Sequence, residues 1–184
     1  MNMNNFIKIY DDVLSPEVCD SIIDLYKSNP NLHELQYQDG KNFNQFVFTK
    51  HKKLNINLYS KILETIADAV YLYKLEIPET HYWPNEYVFE EVRIKCYNAE
   101  QNQQFEHHVD AFNFLSSSRI LAFFFYLDDV DEGGETEFMN LNFKVKPKKG
   151  RLLMFPPHWM YPHRGCPPVS NTKYICGSFI RFTS

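Results

Sequence analysis

Apolar positions recur at two different spacings along this chain, and the change falls near Pro78. Before it, the steps are of three and four residues, the period of a helix. Ser15-Pro16-Glu17 supplies a hydroxyl N-cap, a proline at the first helical position and an acid against the dipole. Val18, Ile22, Leu25 and Tyr26 then mark one face, and Asn29-Pro30 closes the segment. A second helix is predicted over about residues 54–75, where Leu58, Ile62, Ile66, Ala69, Val70 and Tyr73 form an apolar stripe. Between the two, residues 35–50 carry Asp39-Gly40 flanked by Tyr37 and by Phe43, Phe46 and Phe48, the pattern of a hairpin or a mobile loop.

After Pro78 short apolar runs alternate with polar turns, at residues 88–97, 105–111, 119–127, 135–139, 142–146, 151–155, 160–164 and 173–182. The turns hold Asp-Asp, Glu-Gly-Gly, Pro-Lys-Lys-Gly and Pro-Pro, residues that suit tight backbone conformations. The prediction is a mainly β fold with flanking helices: a double-stranded β-helix (jelly roll) core buttressed by N-terminal α-helices. It is read as one domain over residues 1–184, with 1–80 largely helical support and 86–183 the β-helix core.

Composition changes this picture little. The chain has 184 residues, enough for one domain with a real core, and its 16% aromatic content suits sheets. A net charge of -4 leaves no electrostatic footprint for nucleic acid, so that partner is not expected. Cys19, Cys96, Cys166 and Cys176 form no CxxC pair and are read as reduced structural thiols. The N-terminus lacks a signal-peptide profile and no apolar run is long enough to span a bilayer, so a soluble, cytoplasmic protein without membrane contact is the expectation.

Chemistry concentrates at His108-Val109-Asp110. In a strand, alternate residues share a face, so His108 and Asp110 would point inward together. A second histidine would complete a facial triad with open positions, the arrangement of non-haem Fe(II) oxygenases. His163, within a short run near the C-terminus, is preferred for it over His158, which follows Pro156-Pro157 in a turn. An isolated His-x-Asp carries little in a chain with 7 histidines; its weight comes from what accompanies it. Lys173 opens the last apolar run, and a lysine aimed into a jelly-roll interior demands an anion. The distal carboxylate of a 2-oxo diacid would serve, with a tyrosine hydroxyl from Tyr126 or Tyr97 beside it.

In order and spacing these pieces resemble the prolyl 4-hydroxylase family of Fe(II)/2-oxoglutarate-dependent dioxygenases over about residues 90–182. The matching segments are Cys96-Tyr97-Asn98, Phe105, His108-Val109-Asp110-Ala111-Phe112, Arg119 seven residues before Tyr126, Gly133-Gly134-Glu135-Thr136-Glu137-Phe138, Pro147 to Phe155, His163-Arg164-Gly165 and Lys173-Tyr174-Ile175. The resemblance implies iron ligation by His108, Asp110 and His163. It implies that Lys173 and Tyr126 hold the distal carboxylate of 2-oxoglutarate, with Thr136 and Tyr97 in the same pocket. Fe(II), 2-oxoglutarate and O₂ would be required, with ascorbate as a reductant, and succinate and CO₂ released. The expected substrate is a prolyl residue in a protein or peptide; oligomeric state is left open. Ala99-Glu100-Gln101, Phe105 and the region of Phe179 depart from the family pattern, on the substrate side. Rival readings are a hydroxylase of a free amino acid or other small molecule, a nucleic-acid demethylase, and a non-catalytic jelly-roll binding protein. Residues 35–50 and Tyr82-Trp83-Pro84 are the candidate lids.

Overall fold

The structure is a computed structural model that describes residues 3–38 and 41–183. Its elements in chain order are β1 (Lys8–Tyr10), α1 (Pro16–Lys27), β2 (Glu34–Gln38), β3 (Lys41–Val47), α2 (Ile56–Glu76), β4 (Tyr87–Phe89), β5 (Arg93–Tyr97), β6 (Phe105–His108), β7 (Arg119–Tyr126), β8 (Thr136–Phe138), β9 (Phe143–Val145), β10 (Leu152–Phe155), β11 (His163–Gly165) and β12 (Lys173–Phe182). Both helices begin where the sequence caps them. Ser15 Oγ accepts from the Val18 N–H and Asn55 Oδ1 from the Leu58 N–H, satisfying donors that the first turn leaves free. α2 stops before Pro78, whose ring forces Ile77 into an extended conformation (φ −121°, ψ 90°). No helix among the described residues is long and apolar enough to cross a membrane.

Two antiparallel sheets form the jelly roll. The larger runs β1-β10-β7-β12-β5-β3-β2, with β4 also on β12; the smaller runs β6-β11-β8-β9. Side-chain alternation splits the large sheet between two cores. Leu121, Phe123 and Phe125 of β7, Leu152 and Met154 of β10, and Ile94 of β5 meet Ile22, Ile62, Ile66 and Tyr73 of the helices. Their alternates Ala122 and Tyr126, Leu153 and Phe155, and Tyr97 turn instead toward Phe138 and Val145 of the small sheet. The unbroken apolar run of β7 is therefore a strand covered on both faces.

The N-terminal region departs from the expected helical support. β1 and the β2–β3 hairpin join the large sheet, β1 against β10 and β3 against β5. β1 has three residues, too few to show a period, and takes its place from its pairing. The segment read as a hairpin or mobile loop is a hairpin, paired from Glu34↔Gln45 to Gln38↔Lys41, while the expected Asp39-Gly40 turn lies outside the described residues. The expected run at 88–97 breaks into β4 and β5. Both lie along the long strand β12, where the Glu90 N–H donates to the Phe179 carbonyl across the gap.

Candidate metal and co-substrate site

Three ligand-bearing side chains meet between the sheets. His108 ends β6 and His163 opens β11, and the two are direct partners in the antiparallel register. Asp110 was expected on the same strand as His108, but β6 ends at His108 and Asp110 lies beyond it. Other contacts bring it back. The N–H groups of Asp110 and Ala111 both donate to the Pro157 carbonyl, at 3.1 and 3.0 Å, and Arg119 Nη1 donates to the Asp110 carbonyl at 2.8 Å. The result puts Asp110 Oδ1 3.4 Å from His108 Nε2 and Oδ2 3.5 Å from His163 Nε2. The ligand atoms of all three lie within 4.8 Å of one another.

The imidazole orientations define what this cluster can accept. His108 Nδ1 faces the Glu106 carbonyl at 2.6 Å and His163 Nδ1 faces the Tyr161 carbonyl at 3.1 Å. A carbonyl only accepts, so each Nδ1 carries a proton, and each ring turns its Nε2 toward Asp110. Burial holds the His163 pKa down to about 4, which keeps that ring neutral at pH 7. Burial would raise the Asp110 carboxyl, but its neighbours, His163 first, hold it below the ordinary carboxylate range. His108 Nε2 is buried with no hydrogen-bond partner among the described residues. Two lone pairs and a carboxylate converging on one point repel unless a cation sits there, and backbone-anchored imidazoles are how proteins fix metal ligands. The donor set, two nitrogens and one oxygen, fits a divalent first-row metal with open coordination positions.

The trio forms one wall of a narrow pocket of about 60 Å³ between the sheets. Lys173, the first residue of β12, lines the same pocket. Its Nζ lies 5.2 Å from the Tyr97 ring centroid and 5.5 Å from that of Tyr126. Only 2% of this residue is exposed, and its ammonium has no hydrogen bond or ion pair among the described residues. Burial pushes its pKa down to about 8. A Cβ added to Gly165 would come within 3.9 Å of Lys173 Nζ, so the glycine leaves the space before the ammonium open. An anion in that space would relieve a costly unpaired charge.

The expected site residues fall into place unequally. Tyr97 and Thr136 line the pocket with Lys173. Tyr126 sits behind that lining and donates its hydroxyl to Thr136 Oγ1 at 2.7 Å, orienting the threonine. His158 lies in the turn before β11, apart from the trio, with its carbonyl accepting from the Tyr161 N–H. Trp83 of the candidate lid stacks on Tyr73 at 5.9 Å and packs with the helices rather than over the pocket. The hairpin does reach the mouth, where Tyr37, Phe43 and Gln45 flank an outer cleft. Three contributors were not singled out from sequence. Arg119 appeared only as a spacing landmark, and Pro157 acts through its main-chain oxygen, which no side-chain pattern reveals. Lys95 lines the pocket two residues before Tyr97, where strand alternation alone could have found it.

Comparison with known proteins agrees with this geometry. Residues 92–181 match the family model described as the 2OG-Fe(II) oxygenase superfamily. The chain is 33% identical over 111 residues to the Arabidopsis thaliana protein named "Probable prolyl 4-hydroxylase 9", covering 45% of this chain and 38% of that one. It is 29% identical over 198 residues to "Probable prolyl 4-hydroxylase 3" of the same plant, covering 90% of this chain and 66% of the relative. The matched stretches thus span less than two thirds of either curated relative. In fold, the chain is similar to the viral collagen prolyl hydroxylase of Paramecium bursaria Chlorella virus-1 in its 2OG complex, with a TM-score of 0.69, 23% identity and 97% of each chain covered.

Proposed function

We propose, from the match of residues 92–181 to the 2OG-Fe(II) oxygenase superfamily model and the similarity to prolyl 4-hydroxylases, that the chain is a 2-oxoglutarate-dependent dioxygenase that hydroxylates prolyl residues in a protein or peptide. In this reading His108, Asp110 and His163 hold Fe(II), leaving positions for the 2-oxo acid end of 2-oxoglutarate and for O₂. Lys173 receives the distal carboxylate, with Thr136 and Tyr97 beside it and Tyr126 fixing Thr136 from behind. The bound iron would supply O₂ activation coupled to decarboxylation of 2-oxoglutarate to succinate and CO₂, with ascorbate keeping it reduced.

What the chain's own residues contribute is position and exclusion. The Nδ1–H groups of His108 and His163 anchor the imidazoles to backbone carbonyls, and Arg119 and Pro157 fix the Asp110 backbone. Phe124 and Phe155 line the pocket with apolar surface that excludes water. The observation that carries the reading is the presence, in the lining of one pocket, of a cation-demanding trio and a buried ammonium with no ion pair among the described residues. A molecule with a chelating end and a distal carboxylate answers both.

The test is to incubate the protein with Fe(II), 2-oxoglutarate, ascorbate and proline-containing peptides in air. The expected result is succinate release together with a peptide product heavier by one oxygen atom. Succinate release without any oxygenated peptide, alongside oxygenation of free amino acids, would move the assignment to a small-molecule hydroxylase. No succinate release under any condition would overturn it.

A further inference from the structure

β5 presents Arg93, Lys95 and Tyr97 to the space between the sheets, because alternate strand residues share a face. Tyr97 is paired with Lys173, deep in the pocket, and Lys95 with Ile175, one step of about 7 Å nearer the mouth. Beyond it the pocket widens into an open cleft of about 580 Å³, which Lys95 and Arg93 line but Lys173 and Tyr97 do not. Lys95 therefore stands at the junction between the small inner chamber and the outer cleft.

Other cations of this wall are already committed. Arg93 Nη2 is 2.8 Å from a Glu91 carboxylate oxygen, and Arg119 grips Glu90 with Nε and Nη2 at 2.9 and 2.8 Å. Lys95 has no hydrogen bond or ion pair among the described residues. Its ammonium lies 5.3 and 5.0 Å from the ring centroids of Phe43 and Phe105, which are themselves 5.0 Å apart. Two rings on adjoining elements hold the charge in place by cation–π attraction while giving it no acceptor. Asp110 feels the charge, yet both of its oxygens face the histidines. 2-Oxoglutarate, on the reading above, has its two ends assigned elsewhere.

We propose that Lys95 receives a carboxylate carried by the primary substrate, so that the enzyme selects peptides with an acidic side chain beside the residue it oxidises. This rests on the functional reading above for what occupies the inner chamber. The same position disfavours a basic side chain beside the oxidised residue, since Lys95 would repel it.

The test uses blocked pentapeptides, Gly-Glu-Pro-Gly-Gly and Gly-Pro-Glu-Gly-Gly, each with its glutamine counterpart. Calorimetric binding is measured on the protein loaded with Mn(II) and 2-oxoglutarate, for wild type, Lys95→Met and Lys95→Arg. One acidic peptide should bind about ten-fold more tightly than its amide partner, the scale of one charge-assisted hydrogen bond. Lys95→Met should abolish that preference without changing 2-oxoglutarate affinity, and Lys95→Arg should restore it. Equal affinity of acid and amide peptides for wild type, including no binding of either, overturns the proposal, as does a preference that survives in Lys95→Met. Loss of 2-oxoglutarate binding in Lys95→Met also overturns it, because the ammonium would then serve the co-substrate. If the wild-type protein binds neither Mn(II) nor 2-oxoglutarate, the oxygenase reading fails, and the peptide pairs titrated on the metal-free protein still report on Lys95. Melting curves of each variant show whether it is folded, and Lys95→Gln stands in should Lys95→Met fail to fold.

Discussion

Arg119 Nη1 donates to the main-chain oxygen of Asp110 at 2.8 Å, so a residue at the start of β7 holds a carboxylate that its own strand has already let go. The same guanidinium bonds both oxygens of Glu90 and lies 3.8 Å from the Phe179 ring centroid. One side chain thus ties the loop after β6 to the β4–β5 junction and to β12. A lysine keeps the charge but loses the fork that makes three bonds at once. Arg119→Lys should weaken Mn(II) binding about ten-fold, the usual scale for a group that orients a metal ligand. It should also cost about 1–3 kcal/mol of stability in the metal-free protein, less than a fully buried pair because both partners are partly exposed. Paramagnetic resonance titration gives the first quantity and denaturant melts the second. A stability loss with unchanged Mn(II) affinity would reduce Arg119 to a packing residue.

Lys173 poses the opposite problem, since its ammonium is buried with no hydrogen bond or ion pair among the described residues. Lys173→Met removes the charge at similar volume. In the absence of ligand the variant should be as stable as wild type or more so, because an unpaired buried charge costs more than a methionine. Its affinity for 2-oxoglutarate should fall about thirty-fold or more, corresponding to the 2 kcal/mol or more lost when one partner of a buried charge pair is truncated. Mn(II) affinity should hold. Thermal melts and isothermal titration read these outcomes, and undiminished 2-oxoglutarate binding would remove Lys173 from the carboxylate site.

Much of this arrangement is legible in the sequence because it depends on local rules. The cap at Ser15, the stop before Pro78 and the strand periods after it all follow from residue type and spacing. His108, Asp110, His163 and Lys173 could be singled out because each is a side chain whose chemistry is conspicuous in an aromatic sheet, and the structure brings the four to one pocket. What escaped was non-local or carried by the backbone. β1 exists through pairing with β10, some 140 residues away in sequence, and the Pro157 carbonyl holds Asp110 from a turn that showed only two prolines. Lys95 lay within reach of the same local rules, since it shares a strand face with Tyr97; the run 88–97, read as one strand, instead breaks at Glu90, and its second half lines the pocket.

The pKa of Lys173 gives the co-substrate site a pH dependence of definite sign. Burial lowers it to about 8 in the empty protein, so the ammonium is present below that pH and is lost as pH rises through it. The carboxylates of 2-oxoglutarate stay ionised across this range. Affinity should therefore be flat below pH 8 and fall about ten-fold per pH unit above it, until the pKa of the anion-bound lysine is reached. Lys173→Arg, which stays charged to far higher pH, should remove the break. Binding of 2-oxoglutarate to the Mn(II)-loaded protein, titrated from pH 6.5 to 9.5, checks both curves. A break in wild type that persists in Lys173→Arg would assign the dependence to another group.

The metal trio can be separated from its neighbours by ligand-linked stability. A divalent ion that binds only the folded chain raises stability with concentration, by about 2.7 kcal/mol at a hundred times its dissociation constant. Fe(II) under anaerobic conditions, or Mn(II) in air, should raise the melting temperature, and a chelator should return it to the metal-free value. Asp110→Asn should lose this response, because an amide offers the same shape without the charge that two lone pairs and a cation require. His163→Ala should lose it too. His158→Ala should keep it, since His158 lies in the turn before β11, outside the trio. A metal response abolished by His158→Ala but retained in His163→Ala would reverse the assignment of the distal ligand. The register pairing of His163 with His108 argues against that outcome, because it sets the two imidazoles side by side before any metal binds.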